Sequence, residues 1–319
     1  MSDPPPVIVM DRVVKRYGQT TALAGVSLDV QRGEMFGLIG PDGAGKTTAI
    51  RLLCGLLRPD AGMLRVVQKD PLREHRAVTR AVGYFSQRFS LYGDLSIDEN
   101  IAFFAEIHGL RRYETARERL LEMTRLTPFR HRMADRLSGG MRQKLALACT
   151  LVHEPEVILL DEPTTGVDPV SRREFWKLLS EFLAQGITVV MATPYLDEAE
   201  RCSRVALLHE GRLVALDDPG RLRAAVADGI VEVIAQPQWE MAELLGRLPG
   251  VRNVEGFGER IHVRLAGPQN PEAVRRIHQA LEQARATVIG VRPVAASLED
   301  VFIDRIAHAG RPDAAVEQQ

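Results

Sequence analysis

Cysteine is scarce in this chain. Only Cys54, Cys149 and Cys202 occur among 319 residues, scattered, odd in number and free of metal-ligand spacing. They make neither a disulfide framework nor a zinc cluster, and read as small buried thiols in a reducing compartment. An excess of either charge is missing too. The chain has 41 Lys+Arg against 42 Asp+Glu, a formal net charge of −1, which gives no basic field for nucleic acid. No uncharged apolar run approaches the ~18 residues needed to cross a bilayer. The N-terminus, MSDPPPVIVM, has neither a positive nor an apolar targeting segment, so no signal peptide is expected. What is present is 45% hydrophobic residues, enough for a large core, in a length that favours two domains.

From Val7 to about Ala224, short β-branched runs alternate with helical patterns, the signature of an α/β domain. Strands are expected at Glu34–Ile39, Ala81–Phe85, Glu156–Leu160, Ile187–Met191 and Val205–Leu208, several of them buried on both faces. Residues 88–152 read instead as a helical subdomain. There Ser96-Ile97-Asp98-Glu99 is a capping box, and Ile101, Phe103, Phe104 and Ile107 are the expected apolar face of the helix it opens. Beyond residue 225, strands are predicted at Ile230–Ala235, Val251–Glu255, Ile261–Leu265 and Thr287–Val291, with helices at Glu240–Leu248 and Pro271–Ala284. Residues 225–308 therefore read as a small α+β accessory domain. The polar residues 309–319 are expected to be disordered. No internal repeat is visible, so the chain carries one α/β unit rather than two fused ones.

Three stretches carry chemistry. The first is Gly40-Pro41-Asp42-Gly43-Ala44-Gly45-Lys46-Thr47-Thr48, between an expected strand and a helical run, the context a P-loop requires. Its glycines let backbone N–H groups curl around phosphates. Lys46 supplies a point charge to the β- and γ-phosphates, and Thr47 offers a hydroxyl to Mg²⁺. The second is VILLDE, residues 157–162, an apolar strand ending in two carboxylates at the edge where ligands sit in such sheets. Adjacent carboxylates can divide the work there, Asp161 toward Mg²⁺ and Glu162 toward the attacking water. The third is LSGGMRQ, residues 137–143, a helix start whose free N–H groups suit an anion. Alone it reads as an ordinary helix cap. With one P-loop and one such helix start per chain, Ser138, Gly139 and Gly140 of one copy could complete the phosphate site around Lys46 of another. ATP would then hold the copies together.

Together these stretches resemble the nucleotide-binding domain of the ATP-binding cassette (ABC) family, over roughly Val7 to Arg223. The resemblance implies a P-loop NTPase fold with a helical subdomain, ATP and Mg²⁺ as ligands, and ATP hydrolysis. It extends the nucleotide contacts to Gln143 and to Tyr17, in RYGQTTAL, which matches the aromatic residue that stacks on adenine. Gln87 matches the glutamine that touches Mg²⁺ and the attacking water and senses the membrane partner. Asp168, in GVDP, matches the aspartate that communicates across the dimer. Three positions depart from the family's pattern. Val167 replaces the usual leucine, and Asp42 stands where asparagine is common, adding negative charge near the phosphates. Pro194, in MATPYLDEAE, replaces the histidine that reaches the γ-phosphate. The segment SLEDVFI, residues 297–303, is similar to the closing motif of ATPase subunits of bacterial drug and antibiotic efflux systems.

The resemblance therefore implies the ATPase subunit of a bacterial ABC exporter. It would work as a head-to-tail dimer with an identical or related ATP-binding subunit, peripheral to the cytoplasmic face of the cell membrane. Separate integral-membrane permease subunits would be its partners, and nucleic acid would not. Docking is expected on the helical subdomain and the segment after Gln87, where Phe89, Leu91 and Tyr92 are apolar. Two other readings stay open. One is a soluble ABC ATPase working on ribosomes or DNA, against which the single cassette and the lack of a basic block both count. The other is a regulatory cassette with little turnover, to which only Pro194 points.

Overall fold

The computed structural model describes residues 4–87, 91–268 and 270–309. The chain divides after Asp218 into two compact units. The first opens with an antiparallel hairpin, β1 (Ile8–Tyr17) and β2 (Thr20–Val30). Next, β3 (Met35–Ile39) runs through residues 40–45 into α1 (Lys46–Leu53), and β4 (Ala61–Val66) returns beside β1. Then α2 (His75–Ala81) leads into β5 (Val82–Phe85). Helices α3 (Ile97–Ile107), α4 (Glu114–Met123) and α5 (Gly139–Leu151) follow. The unit closes with β6 (Val157–Asp161), α6 (Pro169–Ala184), β7 (Thr188–Thr193), α7 (Leu196–Ala199), β8 (Arg204–His209) and β9 (Arg212–Asp217).

Two sheets build this unit. The larger has the order β5-β6-β7-β3-β8-β9, parallel except for β9, and the smaller is β2-β1-β4. Every residue of β3, β6 and β7 is buried, as parallel strands covered on both faces require. The expected α/β class holds. The described residues between Leu91 and Val152 form helices and no strand, and the capping box is real: Ser96 Oγ accepts from Glu99 N at 3.3 Å while Glu99 Oε2 accepts from Ser96 N at 2.8 Å. The buried face of α3 differs from the expected one. It is Ile97, Asn100, Ile101 and Ala105, with Ile101 the one member of the expected face that is fully buried, while Ile107 is 62% exposed.

The second unit opens with α8 (Pro219–Ala224). It continues through β10 (Ile230–Gln236), α9 (Gln238–Gly246), β11 (Val251–Phe257), β12 (Arg260–Leu265), α10 (Pro271–Gln283), β13 (Thr287–Val294) and α11 (Leu298–Ala309). Its strands pair antiparallel in the order β11-β12-β10-β13. Residue 309 closes α11, and the rest of the expected disordered tail lies outside the described residues. Strand alternation sends Val231, Val233, Ile261 and Val263 into a core with α9 and α10. The intervening Glu232, His262 and Arg264 form a charged cluster. Glu232 meets Arg260 and Arg292, and Arg264 bridges Asp228 and Asp304. The SLED segment acquires a physical meaning here. Ser297 and Asp300 cap each other at the start of α11, which presents Asp300 to His262 Nδ1 at 3.2 Å.

That hydrogen bond raises the His262 pKa above its ordinary value despite burial, and Glu232 and Glu299 add to the effect. A histidine raised in this way stabilises the fold fully below its unfolded value of ~6.5 and stops doing so as pH rises through the higher folded value. The melting temperature of the second unit should therefore fall as the pH rises from ~6.5 through that higher folded value. Scanning calorimetry of the full chain should show this fall flattened in His262→Gln.

Candidate functional site

Four strand ends meet along one edge of the larger sheet. The parallel register sets Ile39 opposite Thr193, Asp161 opposite Ala192 and Phe85 opposite Leu160. The loops leaving β3, β6, β7 and β5 therefore start side by side at the carboxyl edge, where open α/β sheets bind ligands. Those loops carry Gly40, Glu162, Pro194 and Gln87.

Glycines shape the first loop. Gly43 and Gly45 have φ of +80° and +103°, and a Cβ on Gly45 would strike the Ala22 carbonyl of β2. Lys46 is 3% exposed. Its Nζ donates to the Gly40 and Pro41 carbonyls at 2.8 and 3.0 Å and stands 3.7 Å from Glu162 Oε1. Burial lowers its pKa, while the charges of Glu162, Asp42 and Asp161 pull the other way. Thr47 Oγ1 donates to Asp161 Oδ1 at 2.9 Å. Asp161 is fully buried, which raises its pKa against the Thr47 hydrogen bond, and its Oδ2 has no hydrogen-bond partner. Ala44 and Thr48 complete the loop and the first turn of α1.

Glu162 belongs to a second cluster. Its φ of +51° is unusual for a residue with a side chain and marks local strain of the kind found at functional sites. Its Oε2 accepts from Gln87 Nε2 at 2.9 Å and from Thr165 Oγ1 at 3.4 Å. A cavity of about 590 Å³ opens beside it, lined among others by Gln87, Leu91, Gly139, Gly140, Gln143 and Asp168. No residue of the P-loop lines it. Ser138 caps α5 by accepting from Met141 N at 3.3 Å, and Asp168 caps α6 by accepting from Val170 N and Ser171 N, each at 3.0 Å. These two helix starts are braced together, because a Cβ on Gly140 would overlap Ser171 Oγ. Gln143 brings a buried side-chain oxygen without a partner to the cavity wall.

A family model described as ABC transporter matches residues 23–165. A probable multidrug ABC transporter ATP-binding protein of Escherichia coli, YbhF, is 40% identical over 312 residues, covering 95% of this chain and 53% of its own length. The chain thus spans about half of that relative. The daunorubicin resistance ATP-binding protein DrrA3 of Streptomyces coeruleorubidus is 35% identical over 299 residues, covering 93% of this chain and 94% of the relative. A dimeric ATP-binding cassette solved in a post-hydrolysis state with ADP and Pi is 26% identical at a TM-score of 0.59, covering 66% of this chain and 98% of that one. The chain belongs to the ABC transporter family, among its ATP-binding proteins.

In this cassette the remaining predicted positions lie further out. Tyr17 is half exposed at the end of β1, with Lys15 Nζ 5.6 Å from its ring centroid. Asp42 is exposed, and its charge reaches Lys46. Pro194 follows Thr193, which is buried at the end of β7. Sequence reasoning missed several contributors. Thr165 reaches Glu162, and the charge of Arg51 on α1 acts on Tyr84 and Asp161. Asn100 is fully buried on α3. Its Nδ2 donates to the carbonyls of Tyr92, Leu95 and Ser96, and its Oδ1 accepts from Tyr92 N at 3.0 Å, which orders residues 92–96. A lone asparagine between apolar helix positions was the one available signal.

Gly45→Ala should combine a forbidden φ with the Ala22 overlap, a strain of about 1–3 kcal/mol. ATP affinity should fall ~tenfold or more, read by titration with a fluorescent ATP analogue. Gly43→Ala, where an added Cβ meets open space, should cost less.

Proposed function

We propose that this cassette hydrolyses Mg-ATP as one half of a head-to-tail dimer, and so powers export through separate membrane-spanning subunits at the cytoplasmic face of a membrane. One observation carries the reading: the Thr47–Asp161 and Gln87–Glu162 hydrogen bonds meet beside Lys46. Lys46 has the place and charge to hold the β- and γ-phosphates. The Thr47 hydroxyl and the partnerless Asp161 Oδ2 fit Mg²⁺. Bound there, the ion would neutralise charge developing on the phosphates. Glu162, oriented by Gln87 and Thr165, is the group that polarises the attacking water.

The cavity supports a reading in which two copies are needed. Gly139 and Gly140, at the start of α5, line with Glu162 a cavity that no P-loop residue lines, so with Ser138 they would be available to nucleotide held by a second, identical or related cassette. Tyr17 would stack on the adenine, Gln143 and Asp168 would face the partner's site, and Thr48 would back the phosphates.

For the membrane partner, the structure offers a cleft of about 240 Å³ lined by Leu56, Val78, Tyr84, Phe104, His108 and His153. Leu56 is 56% exposed at its rim. A short amphipathic helix of a permease suits such a groove. Of the residues expected to dock, Tyr92 packs its ring on Phe103 with centroids 4.4 Å apart, Leu91 lines the Glu162 cavity, and Phe89 lies outside the described residues. No described helix is long and apolar enough to cross a membrane.

Glu162→Gln should keep ATP affinity but slow phosphate release by ~10²- to 10³-fold and accumulate an ATP-bound dimer on size exclusion with Mg-ATP. Ser138→Arg should bind ATP normally as a monomer yet fail to form that dimer. Pro194→His should raise turnover or leave it unchanged, measured with the permease present. A wild type no faster than Glu162→Gln would replace the hydrolytic reading with the regulatory one.

A further inference from the structure

Glu198 lies on the one-turn helix α7, in a run of acidic residues, yet it is only 1% exposed. A buried carboxylate is costly unless charge and hydrogen bonds compensate it. Three donors do so here. Glu198 Oε1 accepts from Thr164 Oγ1 and from Arg172 Nε, the latter at 2.7 Å, and Oε2 accepts from Thr193 Oγ1 at 2.7 Å. Arg172 is itself placed by Asp197, at 3.5 Å, and by stacking over the Tyr195 ring at 4.6 Å.

The three donors come from three segments that each carry a site residue. Thr164 lies in the turn between Glu162 and Asp168 and precedes Thr165, which touches Glu162. Arg172 sits in the first turn of α6, capped by Asp168. Thr193 ends β7 opposite Ile39, immediately before Pro194. Both hydroxyl donors are buried, and the turn they support contains the left-handed Glu162. A strained conformation persists only when its surroundings over-determine it.

We propose that Glu198 is a positioning residue for hydrolysis, holding the Glu162–Asp168 turn against the end of β7. It touches no reacting atom. Its role rests on the reading of Glu162 as the carboxylate that polarises water. Proline at position 194 has no side-chain donor or acceptor, so on this side of the site the placement comes from the carboxylate behind the loop.

The test compares wild type with Glu198→Gln, Thr164→Val and Thr193→Val in the full chain. Glu198→Gln keeps the volume but loses the ion pair and offers an amide to one hydroxyl. Its kcat should drop by ~10²-fold, as a small misplacement of a catalytic group does, with KM for ATP changed less than about threefold. Hydrogen exchange should quicken across residues 162–168 and stay unchanged over residues 40–46. Each threonine variant should show part of the loss, and neither should add to it in the Glu198→Gln background. An unchanged kcat would overturn the proposal. So would a loss accompanied by faster exchange throughout the first unit and a lower melting temperature, since that marks a structural role alone. A wild type without turnover above Glu162→Gln would defeat the hydrolytic reading instead. The exchange pattern would then decide the positioning role: confined to 162–168 it stands, absent from there it fails.

Discussion

One hydrogen bond, from the Thr47 hydroxyl to Asp161, joins the two halves of the phosphate site across 114 residues of sequence. It forms because β7 sits between β3 and β6, and α1 packs against both β6 and β7. The helix leaving β3 thus crosses its neighbour to reach the strand beyond it. Everything else at the edge depends on that crossing. It buries Lys46 between loop carbonyls and Glu162, and it buries Asp161 with one oxygen bonded and one left open. A slip of β6 by one residue would exchange the directions of Asp161 and Glu162, because side chains alternate along a strand. The parallel pairing of β6 with β5 and β7 fixes its register.

Much of this was readable from the sequence where a signal is local. The P-loop, the apolar strand ending in two carboxylates, and the Ser96–Glu99 box each declare themselves within ten residues, because turn, cap and strand chemistry act over that range. The spatial order of the strands is not local, so nothing in the sequence alone said that β7 would separate β3 from β6. The small β2-β1-β4 sheet was obscured for another reason. Its register shifts at several points of β1, where Arg12 has φ of +48°, and each shift breaks the alternation that marks a strand. Leu196–Glu200 was opaque in a third way. Asp197, Glu198 and Glu200 share a charged composition that reads as a solvated turn, yet only Glu198 is buried.

Buried carboxylates are mostly paired in both units, Glu198 with Arg172 in the first among them. In the second, Glu232 meets two arginines and His262, and Asp228 meets Arg252 and Arg264. Such cross-strand ion pairing can stabilise a sheet without any ligand. In the first, fully buried Asp161 has its hydrogen bond from Thr47 and nothing on Oδ2. Buried polar atoms without partners are uncommon in folded proteins and call for an explanation. The Mg²⁺ proposed to bind there would supply one, beside the P-loop.

Pro194 bears on the same economy of placement. A side chain that reached the γ-phosphate would position the reacting groups from the front and would need its own rotamer held. Proline cannot reach forward, but it biases Thr193 toward extended geometry. In that geometry Thr193 continues β7, pairs in register with Ile39 and turns its hydroxyl to Glu198. The same hydroxyl oxygen accepts from Tyr195 N at 3.1 Å, so the backbone on both sides of the proline is tied to one buried group. Order lost from the side chain at position 194 is therefore recovered in the backbone that flanks it. A loop fixed from behind has less freedom to lose when nucleotide arrives, which lowers the ordering cost of binding.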